Sequence, residues 1–219
     1  MMRIHAIRYA NSSLPESMVF AGGHPSKRLP IAFLLYVIET ETKRILIDAG
    51  CESLPGFVLR NFVSPATALT DYGILPEQIT DVIVTHAHHD HIDGLRHFPN
   101  AVIHIQKDEL IRGRSYIPEN AKLHSFEQSC TVADFIEVER VGGHTAGSSI
   151  AKIRIGDTRY IFGGDECYLP VCLQRGIYTG ASHDPNASKA FIQRFCGPGY
   201  RVLLTHDTQI NTGIISERI

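Results

Sequence analysis

Apolar residues in this chain gather in short runs, each closed by glycine, proline or a polar cluster. Residues 31–39, 44–48, 81–84, 101–105, 134–141, 149–155, 158–162 and 201–204 are rich in Val, Ile, Leu, Phe and Tyr, and predict strands. Residues 3–9 alternate well enough to predict a first strand. Polar turns at Thr40-Glu41-Thr42-Lys43 and Gly156-Asp157 predict two hairpins. Helices are expected at 56–63, 92–98, 107–112 and 186–195, with one helical turn at 76–79. Residues 11–30 mix Ser, Pro, Gly and charge and predict a long loop, free to lie over a site. Residues 113–131 show no regular pattern. With no internal repeat and no linker, residues 1–219 are expected to form a single α/β domain.

The polar breaks hold the chemistry. Thr85-His86-Ala87-His88-His89-Asp90-His91 follows the run 81–84 and packs four imidazoles and a carboxylate into six residues. Such a group is costly in a core and suits a transition metal. His86 and His88 are two apart, so in an extended segment both point the same way, whereas the adjacent Asp90 and His91 diverge toward a second ion. His144, Asp165 and His206 each follow a further run. Taken singly, each is an ordinary turn residue; together with the central motif they are expected to be ligands. Asp48, before Ala49-Gly50, is either a turn residue or an acceptor that orients a metal-bound histidine.

Composition narrows the partners. A formal charge of −2 gives no electrostatic footprint for nucleic acid or an anionic membrane. No apolar run approaches the roughly 18 residues of a membrane span. The N-terminal residues lack the apolar stretch of a signal peptide. Five cysteines without CxxC pairs argue for a reducing compartment, so a cytoplasmic protein acting on a small molecule is expected.

The order H-x-H-x-D-H, Gly143-His144-Thr145-Ala146-Gly147-Ser148, Gly164-Asp165 and a late His206 resembles the metallo-β-lactamase superfamily. The resemblance implies a four-layer αβ/βα sandwich with two divalent metal ions along one edge. It implies His86, His88 and His144 around one ion, Asp90, His91 and His206 around the other, and Asp165 bridging. Zinc is the expected metal, with iron or manganese also suited to His and Asp ligands. His88, where di-iron oxidoreductases of this fold carry glutamate, favours a zinc-type hydrolase. The implied reaction is attack of a bridging hydroxide on a carbonyl, because metal coordination lowers the pKa of bound water to about 7.

Asp165-Glu166-Cys167-Tyr168 resembles the N-acyl-homoserine lactonases of this superfamily, in which the tyrosine reaches the substrate carbonyl. Asp90 and Tyr168 are thus the expected catalytic residues, opening a lactone. His89 departs from that group, which carries an aromatic residue there, and marks a pocket position of changed polarity. A glyoxalase II-like thioesterase shares the ligand set and is the alternative, followed by a non-catalytic metal-binding homologue. Cys167 is expected to be a packing residue because Asp165 fills the ligand position, and Cys51, Cys130, Cys172 and Cys196 are expected in the core. Asp184 is expected to cap the helix that follows it.

Overall fold

Every residue from Ile31 to Ile38 is buried, as a strand covered on both faces requires. The computed structural model describes residues 2–218 and shows what covers each face. This strand, β2 (Arg28–Glu39), lies directly beside β1 (Met2–Pro15) in a sheet completed by β3 (Arg44–Ile47), β4 (Asp81–Val84), β5 (Val102–Gln106), β6 (Lys122–Phe126) and β12 (Gly213–Arg218). The seven strands run in the order β12-β1-β2-β3-β4-β5-β6. The pairs from β3 to β6 are parallel, and the others are antiparallel. A second sheet holds β7 (Ser129–Val132), β8 (Ile136–Arg140), β9 (Ser149–Ile155), β10 (Thr158–Phe162) and β11 (Tyr200–Leu203), in the order β11-β10-β9-β8-β7.

Side chains alternate along β2, so its two faces enter two cores. Ala32, Leu34, Tyr36 and Ile38 pack against Val138, Ala151, Ile153, Tyr160 and Phe162 of the second sheet. Ile31, Phe33, Leu35 and Val37 face the other way, into a cluster with Leu69, Ile92 and Leu95 from the flanking helical segments. On the far side of the second sheet, Ile161 and Leu204 join Phe191, Ile192 and Phe195 of a helix. The result is the expected αβ/βα sandwich. Among the described residues, six helices, α1 (Glu16–Val19), α2 (Pro65–Tyr72), α3 (His89–Ile92), α4 (Lys107–Arg112), α5 (Pro170–Arg175) and α6 (Pro185–Phe195), are accompanied by short 3-10 turns. No helix among the described residues is long and apolar enough to cross a membrane.

The structure corrects several expectations. Residues 11–30 are not one loop: β1 continues to Pro15, α1 follows, and β2 already begins at Arg28. No helix forms at 56–63. It forms at Pro65–Tyr72, where Ser64 Oγ accepts the Thr67 amide and Pro65 needs no donor partner at the first helical turn. The stretch 113–131 contains β6 and most of β7; both are edge strands, mostly exposed, and so lack a strong apolar pattern. The expected helix at 92–98 divides into α3 and a 3-10 turn at Asp93–His97. The cysteines are free, but Cys196 is exposed and Cys130 is only half-buried, so neither belongs to the core as expected.

Asp184 Oδ1 accepts the amides of Asn186 and Ala187 at 2.9 and 3.4 Å, the expected N-cap of α6. Asp184→Ala is expected to lower unfolding free energy by about 1 kcal/mol. Urea denaturation checks this, and an unchanged midpoint with unchanged slope would refute the cap.

Candidate metal centre

Parallel and antiparallel strands alike here end in loops at one edge of the sandwich. The loop after β3 carries Asp48, and that after β4 carries His86 and His88 and leads into α3 with Asp90 and His91. His144, Asp165 and His206 follow β8, β10 and β11. Rigid strands thereby fix side chains that are far apart in sequence. Asp48 adopts φ 59°, a left-handed conformation that aspartate tolerates. From there its carboxylate accepts the Thr85 amide at 2.7 Å, the Thr85 hydroxyl at 2.9 Å and His91 Nδ1–H at 2.7 Å. Of its two sequence readings, Asp48 therefore takes that of an orienting acceptor.

Hydrogen bonds to the outer ring nitrogens determine which inner nitrogens bear lone pairs. Thr85 Oγ1 donates to Asp48, so it accepts from His86 Nδ1, 3.2 Å away. His144 Nδ1 donates to the Ala181 carbonyl at 2.6 Å, and His206 Nδ1 to the Ala32 carbonyl at 2.9 Å. In their neutral forms, His86, His91, His144 and His206 all direct an Nε2 lone pair inward. His88 Nδ1 lies 3.0 Å from His86 Nε2 and 2.9 Å from His144 Nε2. One proton on His88 can serve only one of these two acceptors. A cation would serve all three nitrogens.

Asp165 lies between two groups. Its Oδ2 is 3.8 Å from His86 Nε2 and 3.6 Å from His144 Nε2. Its Oδ1 is 3.2 Å from both His91 Nε2 and His206 Nε2, and Asp90 Oδ2 stands 3.7 Å from each of those nitrogens. His91 Nε2, His206 Nε2 and Asp165 Oδ1 are buried without a hydrogen-bond partner. Leaving such atoms orphaned is costly, and a metal ion removes the cost for all of them. The residues therefore fit divalent cations, one beside His86, His88, His144 and Asp165 and one beside Asp90, His91 and His206.

Charge follows the same division. Burial, reinforced by neighbouring imidazoles, holds His86 well below its ordinary pKa and lowers His88. Burial lowers His144 also, which leaves all three neutral and ready to bind metal. Burial also pulls on His91 and His206, but Asp165 outweighs it and raises both. Asp165 itself resists its burial because His91 and His206 hold it well below the carboxylate range.

Residues 34–206 match the sequence profile of the metallo-beta-lactamase superfamily. The chain belongs to this superfamily. A human relative, Metallo-beta-lactamase domain-containing protein 1, is 26% identical over 155 residues, covering 62% of this chain and 54% of its own length. The chain thus spans about half of that relative. Among solved structures, an N-acyl homoserine lactone hydrolase with N-hexanoyl-L-homoserine bound at its catalytic metal centre superposes with a TM-score of 0.82. That match has 20% identity and covers 94% of each chain. AidC, a dizinc quorum-quenching lactonase, gives a TM-score of 0.77 at 18% identity, over 97% of this chain and 90% of its own. At these identities the likeness is one of fold.

The superfamily cluster opens into a cavity of about 260 Å³. The polar part of the lining comes from His88, His89, Asp90, His144, Asp165 and His206. The apolar part of the lining comes from Leu14, Met18, Ile31, Phe33, Leu54 and Phe57. Tyr168 joins them, stacked on His206 at 5.3 Å between ring centres and edge-on to His144 at 5.9 Å. Residues 11–30 contribute to this cavity through Leu14 and Met18, the end of β1 and the short α1, rather than through an overlying loop. His89 turns away from the ligand groups: its Nδ1 lies 3.1 Å from the Tyr116 hydroxyl, and its Nε2 is 3.6 Å from Asp93 Oδ2. Cys167 is buried and donates to the Leu169 carbonyl, as a packing residue does.

Two buried glutamates escaped sequence reasoning. Glu109 accepts the Ala87 amide at 2.7 Å on one oxygen, and the Thr145 hydroxyl at 2.6 Å and Gly147 amide at 3.0 Å on the other. It thereby ties the segment between His86 and His88 to the loop of His144. Glu166 accepts the amides of Gly143 and His144, each at 3.2 Å, and the Ser148 hydroxyl. Burial pushes its carboxyl up to about 7. A Cβ at Gly143 would lie 2.2 Å from Glu166 Oε2, so this loop needs glycine for the close approach. Glu109 sits in α4 with no motif around it, and Glu166 lies inside a motif read only for its neighbours Asp165 and Tyr168.

Asp48→Asn is expected to weaken divalent-cation binding about 10–100-fold, because an amide is a poorer partner for His91 Nδ1–H. Competition with a chromogenic chelator measures it, and wild-type affinity would rule out the orienting role. Glu109→Ala strands three donors and is expected to cost about 3 kcal/mol or more in stability. A thermal shift within a degree of wild type would contradict this.

Proposed function

We propose that this protein is a dinuclear metal-dependent hydrolase that opens a lactone carrying an apolar acyl arm. The observation that carries the reading is the position of Tyr168, buried against His144 and His206 and lining a cavity that combines the ligand-type side chains with apolar ones. His86, His88 and His144 would hold one ion, Asp90, His91 and His206 the other, and Asp165 both. Zinc suits this donor set. Bound there, the two ions would supply a hydroxide nucleophile at neutral pH and polarise the carbonyl under attack.

The remaining work falls to side chains. Burial, then the charges of Asp165 and Asp90, keeps the Tyr168 phenol well above its ordinary pKa. As a phenol, Tyr168 donates a hydrogen bond to the carbonyl oxygen as negative charge develops. Asp90, which lines the same cavity, would take the proton that the nucleophile gives up on adding to the carbonyl and pass it to the departing alkoxide as the ring C–O bond breaks. Leu14, Met18, Phe33 and Phe57 provide surface for an acyl chain and exclude water from it. His89, which lines the cavity and pairs with Tyr116, is a polar group that a substituent near the ring would meet.

Metal-loaded protein is expected to hydrolyse N-acyl homoserine lactones, with chelation abolishing turnover and zinc restoring it. Tyr168→Phe should lower kcat about 100-fold with little change in KM, the loss expected for one transition-state donor. Assays across lactones of varied acyl length, S-lactoylglutathione, a phosphodiester and a β-lactam decide the substrate class. Thioester turnover without lactone turnover would overturn the proposal.

A further inference from the structure

A second cluster of ligand-type side chains lies outside the centre described above. His104 on β5 and His124 on β6 are register partners in the parallel ladder, and their Nδ1 atoms approach to 3.1 Å. Cys130, on β7, offers its sulfur to the same point: one ligand atom from each of the three residues lies within 4.8 Å of the others. The three residues sit where the two sheets meet at their margins, since β6 is the edge of the seven-stranded sheet and β7 the edge of the five-stranded one. We propose that His104, His124 and Cys130 form a separate site for zinc or a similarly thiophilic divalent cation, which clips the edge strands of the two sheets together.

His104 is prepared for this role. Its Nε2 lies 3.0 Å from Asp81 Oδ1, and Asp81 Oδ2 accepts Lys43 Nζ at 2.9 Å and Thr80 Oγ1 at 2.7 Å. With Nε2–H donated to that carboxylate, His104 Nδ1 bears its lone pair toward His124 and Cys130. A histidine backed by a carboxylate is the recurrent arrangement of a metal-bound imidazole. The His104 ring is buried, whereas His124 is exposed and free to adjust. Tetrahedral ligands at about 2.1–2.3 Å from a cation stand roughly 3.5 Å apart, so closing the cluster needs movements of about an ångström. Two imidazoles and one thiolate leave a fourth position for water, and the sulfur selects zinc-like ions over magnesium or calcium.

The thiol separates this site from the histidine–aspartate centre, where no cysteine is a candidate ligand among the described residues. Metal-stripped protein titrated with Co²⁺ is expected to develop a thiolate-to-cobalt charge-transfer band in the near ultraviolet, with a final amplitude corresponding to one thiolate-bound cobalt per chain beside the ions taken up by the histidine–aspartate centre. Cys130→Ser should abolish the band while leaving hydrolytic turnover and cobalt d–d absorption from the other centre intact. His124→Ala, at an exposed position, should weaken the band's apparent affinity at least tenfold. A wild-type protein without the band holds only a histidine–histidine hydrogen bond here, and that result overturns the proposal. A band that survives in Cys130→Ser, or an affinity unchanged in His124→Ala, overturns it equally.

Discussion

Burying the Asp165 carboxylate among four imidazoles is the constraint on which the site depends. A lone carboxylate in such a place would be expensive, and here its Oδ1 lacks even a hydrogen-bond partner. Its two oxygens face two different groups of nitrogens, so one residue couples the positions of all the others. The outer nitrogens of His86, His91, His144 and His206 are already committed to Thr85, Asp48 and the carbonyls of Ala181 and Ala32. Rotating any ring to relieve the interior would break a bond outside it. Preorganisation of this kind keeps lone pairs pointed at the place where a cation belongs.

That arrangement rests on the sandwich beneath it. Ala32 lies in β2, and its carbonyl anchors His206 although 174 positions separate them. The Thr205 carbonyl in turn accepts the Leu34 amide, so the loop after β11 is stitched onto a central strand of the other sheet. Glu109 and Glu166 do the same for the two histidine loops. The site is therefore built at the seam between sheets, and the apolar lining of its cavity comes from β1, α1, β2 and the segment between β3 and α2.

Where sequence reasoning failed, the missing information was tertiary. Residues 122–132 carry alternating Lys, His, Ser and Thr because edge strands face water, so their pattern resembles a loop until a neighbouring strand is seen to pair with them. The helix at Pro65–Tyr72 has the Ser-Pro start that a local reading can find, but the apolar residues of 56–63 drew the expectation upstream. Gly56, at φ 84°, interrupts that segment instead. Glu109 and Glu166 look like surface residues because their partners are mostly backbone amides contributed by distant loops.

What the sequence determined by itself was the donor chemistry. Histidine and aspartate crowded behind an apolar strand have few uses other than metal, and the order of the later His144, Asp165 and His206 marked the superfamily and hence the sandwich. The tertiary structure alone decided the stacking of Tyr168 on His206 and the removal of His89 toward Tyr116. It also brought His104, His124 and Cys130 together from three strands. Local sequence carries residue type and periodicity, whereas distances between strand ends arise only when both sheets have packed.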